Sequence, residues 1–145
     1  MSRHNAGAAN QLEEGTRLAI DFAKLQQIGA AGTAVVPVAV QDADSKEVLI
    51  VAYVNEAALQ HTLAHGVATF WSTSRNELWV KGATSGDTLQ VVEVRVNCEQ
   101  NSLLYLVRPL GAGACHTKTA AGQARRSCYY RRIRNGALEF VEGLA

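Results

Sequence analysis

The sequence lacks the features that mark membrane-spanning and secreted proteins. Its 145 residues contain no apolar run near the roughly 18 residues that a membrane helix needs. The first dozen residues are small and polar, without the apolar stretch of a secretory signal. Three cysteines are an odd number, so they do not form a closed disulfide framework. These absences predict a soluble, cytoplasmic protein in a reducing compartment.

The sequence also lacks a strong charge of either sign. It has 14 Lys and Arg against 13 Asp and Glu, a formal net charge of +1. This balance predicts no nucleic-acid and no membrane partner. With 48% hydrophobic residues, the chain is long enough for one domain with a core. We expect a flexible N-terminal arm over residues 1–15, rich in Ala, Asn and Gly, and a single domain over 16–145.

Two segments have the pattern of helices. The first is expected between an N-cap at Thr16 and a stop at Gly29, with an apolar stripe that we assign to the core: Leu18, Phe22, Leu25 and Ile28. The second begins after the N-cap Asn55 and ends at His65 and Gly66.

The rest of the chain is typical of strands separated by turns. Residues 35–40 and 48–53 predict a hairpin, and Pro37 makes the first strand an edge strand or lies near its start. Residues 103–107 form a continuous apolar run suited to a central strand. Further strands are expected at 68–71, 78–81, 89–96, 129–133 and 138–141, the last two joined by an Asn-Gly turn. The predicted fold class is α+β, a mostly antiparallel sheet with two helices.

The three cysteines are Cys98, Cys115 and Cys128, separated by 17 and 13 residues. No compact Cys-x-x-Cys pair is present, so only the fold can bring these side chains together. Three thiolates can hold Zn²⁺ at about 2.3 Å and leave a fourth position for water. Three small buried side chains are the other interpretation, since free cysteine is often buried.

A second polar stretch, residues 72–86, has the chemistry of a phosphate site. It combines hydroxyl groups, glycines and two cations, which suits a phosphate-bearing ligand. The residues concerned are Ser72, Ser74, Arg75, Lys81, Thr84, Ser85 and Gly86. Two hairpin turns with solvated polar residues would have the same composition. The Gly-x-x-x-x-Gly-Lys spacing of a P-loop is missing.

Six segments, read together, carry a resemblance to a known family. They are LIVAYVNEAAL at 49–59, WSTSR at 71–75, LWVKG at 78–82, TSG at 84–86, ACHT at 114–117 and RSCYY at 126–130. In this order they resemble phosphoribosyl-AMP cyclohydrolase, and the match runs from about residue 36 to residue 133. The resemblance implies a zinc- and magnesium-dependent hydrolase of histidine biosynthesis that opens the adenine ring at N1–C6. It also implies an intertwined homodimer with zinc ligands from both chains.

The resemblance assigns roles to individual residues. Cys98, Cys115 and Cys128 become the zinc ligands, and His116 becomes the general acid and base, although a loop histidine that only orders the turn is the alternative. The polar residues of 72–86 then bind the substrate's phosphates and ribose. Trp79 is assigned either to the core or to the ligand surface.

The sequence departs from the family around the first cysteine. The family motif Asp-Cys-Asp-x-Asp holds magnesium, but here Asn97, Glu99 and Asn101 leave one carboxylate of three. Magnesium should therefore bind weakly, because it demands charged oxygen ligands in octahedral geometry. Thr73 replaces a usual Arg, and Ala83 replaces a usual acid. The interval from Cys115 to Cys128 is also longer than usual, which costs only about 0.6 kcal/mol in closure entropy for each doubling of a loop.

Two other functions fit parts of the pattern. The altered carboxylates could mark an enzyme that opens a different N-ribosyl purine or pyrimidine nucleotide. A zinc-stabilised RNA-binding module would use arginines beside aromatic residues, here Arg125, Arg126, Arg131, Arg132 and Arg134 around Tyr129 and Tyr130. The near-neutral charge argues against RNA. A cytidine-deaminase-type enzyme is disfavoured because its paired Cys-x-x-Cys is missing.

Overall fold

The computed structural model describes residues 10–145 of the chain. Within that range there are two helices with defined bounds, and residues 10–14 are also helical. The helices are α1 (Lys24–Ala30) and α2 (Glu56–His65). The strands are β1 (Val36–Asp42), β2 (Val48–Val54), β3 (Thr69–Ser72), β4 (Glu77–Val80), β5 (Leu89–Val96), β6 (Leu103–Pro109), β7 (Arg131–Arg134) and β8 (Ala137–Phe140).

The main sheet has four strands in the order β2-β1-β6-β5. All its pairs are antiparallel except β1 with β6, which is parallel. The predicted α+β class with a mostly antiparallel sheet is therefore confirmed. The prediction that Pro37 makes β1 an edge strand is wrong, because β1 lies between β2 and β6. The alternative holds: Pro37 is the second residue of β1, and pairing with β6 begins only at Val38.

The core lies between this sheet and α2, because alternate residues of the strands point to one face. In β1, Val38 and Val40 are fully buried while Ala39 is half-buried. The predicted central strand, β6, is internal to the sheet and contributes Tyr105 and Val107 to the core. Other members of the core are Leu49, Val54, Phe70 and Leu89.

Helix α2 has the bounds that its sequence predicts. The Asn55 side chain accepts a hydrogen bond from the backbone N–H of Ala58 at 2.9 Å, which satisfies a free donor of the first turn. Gly66 ends the helix with φ 72°, a left-handed conformation that glycine adopts without a steric penalty. Ala58, which is fully buried, presses the helix against the sheet.

The N-terminal helix differs from its prediction. It begins at Lys24, not after Thr16, and only Ile28 of the predicted apolar stripe is buried. Phe22 is 90% exposed and Leu25 is 67% exposed, so the assignment of this stripe to the core is wrong. Leu18 and Phe22 lie before the helix begins, and most side chains of its seven residues are exposed, so apolar spacing alone predicted neither its length nor its burial.

Two hairpins complete the fold. The β3–β4 pair follows α2, and the β7–β8 pair closes the chain. Asn135 and Gly136 form the predicted turn between β7 and β8 with φ angles of 52° and 75°, which suits an Asn-Gly hairpin turn. Among the residues described, neither helix has the length and apolar character that crossing a membrane requires.

Candidate active site

Cys115 and Cys128 meet in the long irregular segment between β6 and β7. The backbone N–H of Cys128 donates to the carbonyl of Leu49 at the start of β2, at 2.8 Å. Cys115 is brought back to it because the N–H of Ala114 donates to the carbonyl of Arg126, also at 2.8 Å. Gly113 permits this approach: a Cβ there would lie 2.5 Å from Cα of Arg126. The fold thus gathers two of the three predicted metal ligands within one chain.

The two thiols differ in how easily each loses its proton. The pKa of Cys115 is lowered to about 5, chiefly by its hydrogen bond with Cys128 and further by Thr117, whose Oγ1 lies 3.0 Å from Sγ. The pKa of Cys128 is raised, first by the same bond to Cys115 and then by burial. Cys115 is therefore the thiol that loses its proton more easily, and Cys128 is the one that keeps it. Such a pair fits a thiophilic cation such as Zn²⁺, which binds thiolate sulfur.

Two charged side chains face this pair from other parts of the chain. The ammonium of Lys81 lowers the pKa of Cys128, and the carboxylate of Glu13 raises it. Lys81 is only 7% exposed and directly follows β4. Lys81, predicted as a phosphate ligand, therefore acts electrostatically on Cys128 and does not line the cavity around Ser72 described below.

His116 follows Cys115 and points outward. Its side chain is 79% exposed, and Nε2 lies 2.5 Å from Oε2 of Glu13. The candidate acid and base therefore lies near the thiols because it directly follows Cys115 in the sequence. One of its ring nitrogens contacts the carboxylate of Glu13. Sequence reasoning missed Glu13 because its segment carried no motif and was assigned to a flexible arm.

The last residues of the segment predicted as a flexible arm, residues 1–15, contact the domain. Residues 10–15 are described and are held to the domain, while residues 1–9 lie outside the described residues. Arg125, only 1% exposed, forms a two-pronged ion pair with Glu14, at 2.7 and 2.9 Å. Arg125 also donates to Thr117 Oγ1 at 3.0 Å. The segment therefore joins the network that surrounds Cys115.

Cys98 lies away from the other two cysteines. It is exposed in the turn between β5 and β6, next to the end of the sheet at which β6 begins. Cys128 lies beside Leu49, at the opposite end and beyond β1. Seven-residue strands are about 20 Å long at roughly 3.3 Å per residue. Within residues 10–145 of one chain, no three His, Cys, Asp or Glu side chains come together as a metal cluster.

The oxygens of the predicted magnesium site hold the β5–β6 turn together. The Oδ1 atom of Asn97 accepts the backbone N–H of Asn101 and of Ser102, each at 2.9 Å. The side chain of Asn101 donates to Glu99 at 3.2 Å. These contacts fix Gln100 in a left-handed conformation, φ 55°. Only Glu99 offers a charge, so this turn is a poor site for Mg²⁺ by itself.

Four of the predicted substrate residues line one cavity. The cavity has a volume of about 400 Å³ and lies against the outer face of β2. Ser72 holds Arg75 in place at this cavity. Its Oγ accepts hydrogen bonds from the backbone N–H of Arg75 at 3.2 Å and from the guanidinium Nε at 3.3 Å. The four residues are Ser72, Ser74, Arg75 and Trp79. Hydroxyls, a cation and an indole wall in one concave site suit a nucleotide.

The other three predicted substrate residues, Thr84, Ser85 and Gly86, are in the loop after β4 and do not line this cavity. The loop is tight: a Cβ on Gly82 would lie 2.2 Å from the backbone of Asp87. The Ser85 hydroxyl accepts the N–H of Asp87 at 3.2 Å and Gly86 has φ 84°. Within one chain, this loop fits the other interpretation of the sequence, a turn with solvated polar residues.

Four of the five arginines proposed for RNA are bound to carboxylates, and the fifth, Arg131, donates to backbone carbonyls. Arg132 pairs with Glu139 and Glu142 at 2.9 and 2.8 Å, and Arg134 pairs with Glu139 at 3.1 Å. Arg126 donates to Asp42 at 2.8 Å. These pairs leave little free positive charge for a phosphate backbone, which weakens the RNA-binding interpretation.

Comparison with known proteins identifies relatives over most of the chain. Residues 50–135 match the family model of phosphoribosyl-AMP cyclohydrolase. A protein of that name from Hyphomonas neptunium is 52% identical over 101 residues, which are 70% of this chain and 72% of the relative. Those from Sphingopyxis alaskensis and Archaeoglobus fulgidus are 48% and 49% identical, covering 81% and 68% of this chain and 86% and 84% of theirs.

Proposed function

The chain belongs to the phosphoribosyl-AMP cyclohydrolase family, and from that membership we propose that it is a zinc-dependent enzyme that hydrolyses the N1–C6 bond of the adenine ring of phosphoribosyl-AMP in histidine biosynthesis. The observation that carries the proposal is the pairing of Cys115 and Cys128, with His116 between them in the chain and next to one of them. A thiolate pair beside an imidazole is a donor set for a metal together with a proton acceptor.

We assign the metal to Cys98, Cys115 and Cys128. When bound, zinc supplies a coordinated water that is acidified enough to act as the attacking group. Thr117 and Lys81 support this donor set, because a hydroxyl and an ammonium near the sulfurs stabilise their anionic form.

His116 manages the proton of the reaction in this proposal. Its exposed imidazole takes a proton from the attacking water and returns it to the ring nitrogen that leaves. Histidine suits both halves of this task, because it changes charge near neutral pH. A positioned acid and base typically contributes roughly 10²- to 10⁴-fold to the rate.

The third sulfur comes, in this proposal, from a second copy of the chain. Cys98 and the pair Cys115 and Cys128 lie at opposite ends of the sheet, so a shared metal requires Cys98 of one copy to meet the pair of another. The surface near Cys98 supports such a contact: Val96 and Val92 of β5 are 55% and 46% exposed. An apolar cavity of about 480 Å³ lies beside the same turn, lined by Val36, Leu59 and Leu103 among others. Exposed apolar patches of this kind mark association surfaces.

The substrate's phosphates and ribose are assigned to the cavity around Ser72. Arg75 supplies charge-assisted hydrogen bonds, and Ser72 and Ser74 supply hydroxyls. Lys81, Thr84, Ser85 and Gly86 complete the ligand surface when the loop after β4 faces the substrate. Magnesium, if used, takes Glu99 and completes its shell from the phosphates, because Asn97 and Asn101 are neutral.

Intersubunit complementation tests the proposal most directly. Cys98→Ser and Cys128→Ser should each be inactive alone in the hydrolysis of phosphoribosyl-AMP. Refolded together in equal amounts, they should regain roughly a quarter of wild-type activity, because half of the random dimers are mixed and each mixed dimer has one intact site of two.

The control is the same mixing of Cys115→Ser with Cys128→Ser, whose lost ligands belong to one half-site. This mixture should stay inactive. Activity in it, or none in the first mixture from a soluble mixed dimer, would contradict the shared site. If the wild-type, zinc-loaded protein leaves phosphoribosyl-AMP unchanged, the activity itself is wrong.

A second candidate substrate is favoured by the altered β5–β6 turn. Asn97 and Asn101 remove two charges from the surface assigned to magnesium and phosphate, which would suit a different N-ribosyl purine or pyrimidine nucleotide. Ring opening across a panel of such nucleotides, followed by absorbance, separates the two. Phosphoribosyl-AMP should have the highest kcat/KM of the panel.

A further inference from the structure

We propose that Glu13 is a positioning residue of the active site, which holds the imidazole of His116 by its Nε2 atom and leaves Nδ1 as the nitrogen that exchanges the proton. The inference rests on the proposed function, because it assigns His116 as the acid and base. Its starting observation is the distance of 2.5 Å between Nε2 of His116 and Oε2 of Glu13.

The backbone around Glu13 is fixed on both sides. The hydroxyl of Tyr130, a residue only 5% exposed, donates to the carbonyl of Glu13 at 2.7 Å. Arg131 donates to the carbonyls of Leu12 and Gly15, each at 2.8 Å. The segment 12–15 is therefore hydrogen-bonded to the chain that directly follows Cys128.

The neighbouring carboxylate provides a second anchor. Glu14 forms two hydrogen bonds to the buried guanidinium of Arg125. Arg125 in turn contacts Thr117, which lies against Sγ of Cys115. The backbone that carries Glu13 is thus linked through its neighbours to the same thiol pair that His116 adjoins.

An ordinary surface ion pair is the competing interpretation, and it contributes little to stability. Such pairs are weak partly because two long side chains must be ordered to form them. Here the carboxylate is 29% exposed and stands on an anchored backbone, so much of that ordering is already done. A carboxylate in this position acts on the histidine and its surroundings more than on the fold.

The position of Glu13 decides which ring nitrogen carries the proton. A carboxylate against Nε2 favours the tautomer in which Nε2 carries the proton, because the carboxylate oxygen would repel a lone pair on that nitrogen. The neutral imidazole then has its lone pair on Nδ1, which accepts the proton from water. The same carboxylate holds the ring in this orientation while it carries the proton, as in other carboxylate–histidine pairs. The pair needs no co-reactant, because the proton returns to the leaving nitrogen.

Substitution of Glu13 separates this role from a structural one. Glu13→Gln should lower kcat by about 10- to 100-fold with little change in KM, the usual cost of losing a partner that orients a functional histidine. Glu13→Asp, which keeps the charge, should recover part of that loss. Glu142→Gln is the matched control, because Glu142 is an exposed carboxylate paired with Arg132 at 2.8 Å, and its kcat should stay at the wild-type value.

A spectroscopic measurement gives a readout independent of turnover. Long-range ¹H–¹⁵N NMR of the neutral His116 ring should show the proton on Nε2 in the wild type and a shift toward Nδ1–H in Glu13→Gln. Unchanged kcat and an unchanged ring signature in Glu13→Gln would overturn the inference. Thermal unfolding checks that the variant is folded, since its backbone anchors are retained. Inactive wild-type protein with the expected ring signature would instead count against the proposed function alone.

Discussion

The three cysteines lie in two regions that are built in opposite ways. Cys115 and Cys128 are in a long segment without regular structure. Their surroundings nevertheless include buried side chains and the ion pair of Arg125 with Glu14, which joins this segment to the N-terminal residues. Cys98 is in a short turn of the main sheet, which is regular and well hydrogen-bonded, yet its thiol is exposed. The irregular segment therefore has its functional groups assembled, while the regular turn presents one to solvent.

The difference shows what each region supplies. Around Cys128, one chain supplies a thiol pair, the imidazole of His116 and the guanidinium of Arg125. The ammonium of Lys81, which follows β4, acts on Cys128 as well. In the turn around Cys98, Asn97, Glu99 and Asn101 are hydrogen-bonded to one another or to the local backbone, while the thiol takes no part in these bonds. A complete site is expected only where the two kinds of region meet. Four sets of substitutions test that contrast.

The largest effect is expected for the cysteines. Cys115→Ser, Cys128→Ser and Cys98→Ser should each reduce kcat/KM by at least about 1,000-fold, because each change would remove one of the three proposed zinc ligands. Zinc content, measured on the purified variants, should fall in all three. Full activity in Cys98→Ser would break the comparison, since the exposed turn would then have no part in the site.

The next effect is expected at Arg125, in the buried half of the contrast. Arg125→Met should destabilise the protein by about 3 kcal/mol, because it leaves Glu14 without a partner and removes hydrogen bonds to Thr117 and to the carbonyl of Leu144. Urea unfolding measures the loss.

The matched control is Arg134→Met, which breaks an exposed pair with Glu139. This change should cost no more than about 0.5 kcal/mol. An equal loss of unfolding free energy in both variants would show that the ion pair in the irregular segment contributes no more to stability than an exposed one.

A smaller effect is expected when carboxylates are restored to the exposed turn. Asn97→Asp with Asn101→Asp should lower the Mg²⁺ concentration needed for half-maximal activity by about tenfold, because two charges are added to the oxygen ligands. The double variant should lose a little stability, since Asn97 then no longer donates its side-chain N–H to Asn101. An unchanged magnesium requirement would mean that the turn does not contact the ion.

The smallest effect concerns pH. The pKa of Glu14 lies below its ordinary value of 4.5, first because of the hydrogen bond from Arg125. Its contribution to stability is therefore complete above the unfolded pKa and is lost as the pH falls through the folded pKa. In acid titration below about pH 4.5, the free energy of unfolding should fall more steeply in the wild type than in Glu14→Gln. Parallel curves from chemical denaturation would remove Glu14 from the network.

Local signals predicted most of the regular structure because their causes are local. Asn55 and Gly66 bound α2 through hydrogen bonds and backbone freedom that a few neighbouring residues decide. The turn at Asn135 and Gly136 follows from the same kind of preference. The helix expected from Thr16 failed for the opposite reason: Phe22 had the right spacing, but burial depends on an element to pack against, which spacing does not contain.

The sequence by itself determined the strands, the second helix and the list of residues able to do chemistry, because those depend on residue type and on neighbours a few positions away. Only the tertiary structure decided that Cys115 meets Cys128, that Cys98 does not join them in one chain, and that Glu13 reaches His116. Those contacts join residues far apart in the chain, and they depend on how strands and loops pack, which residue type alone does not specify.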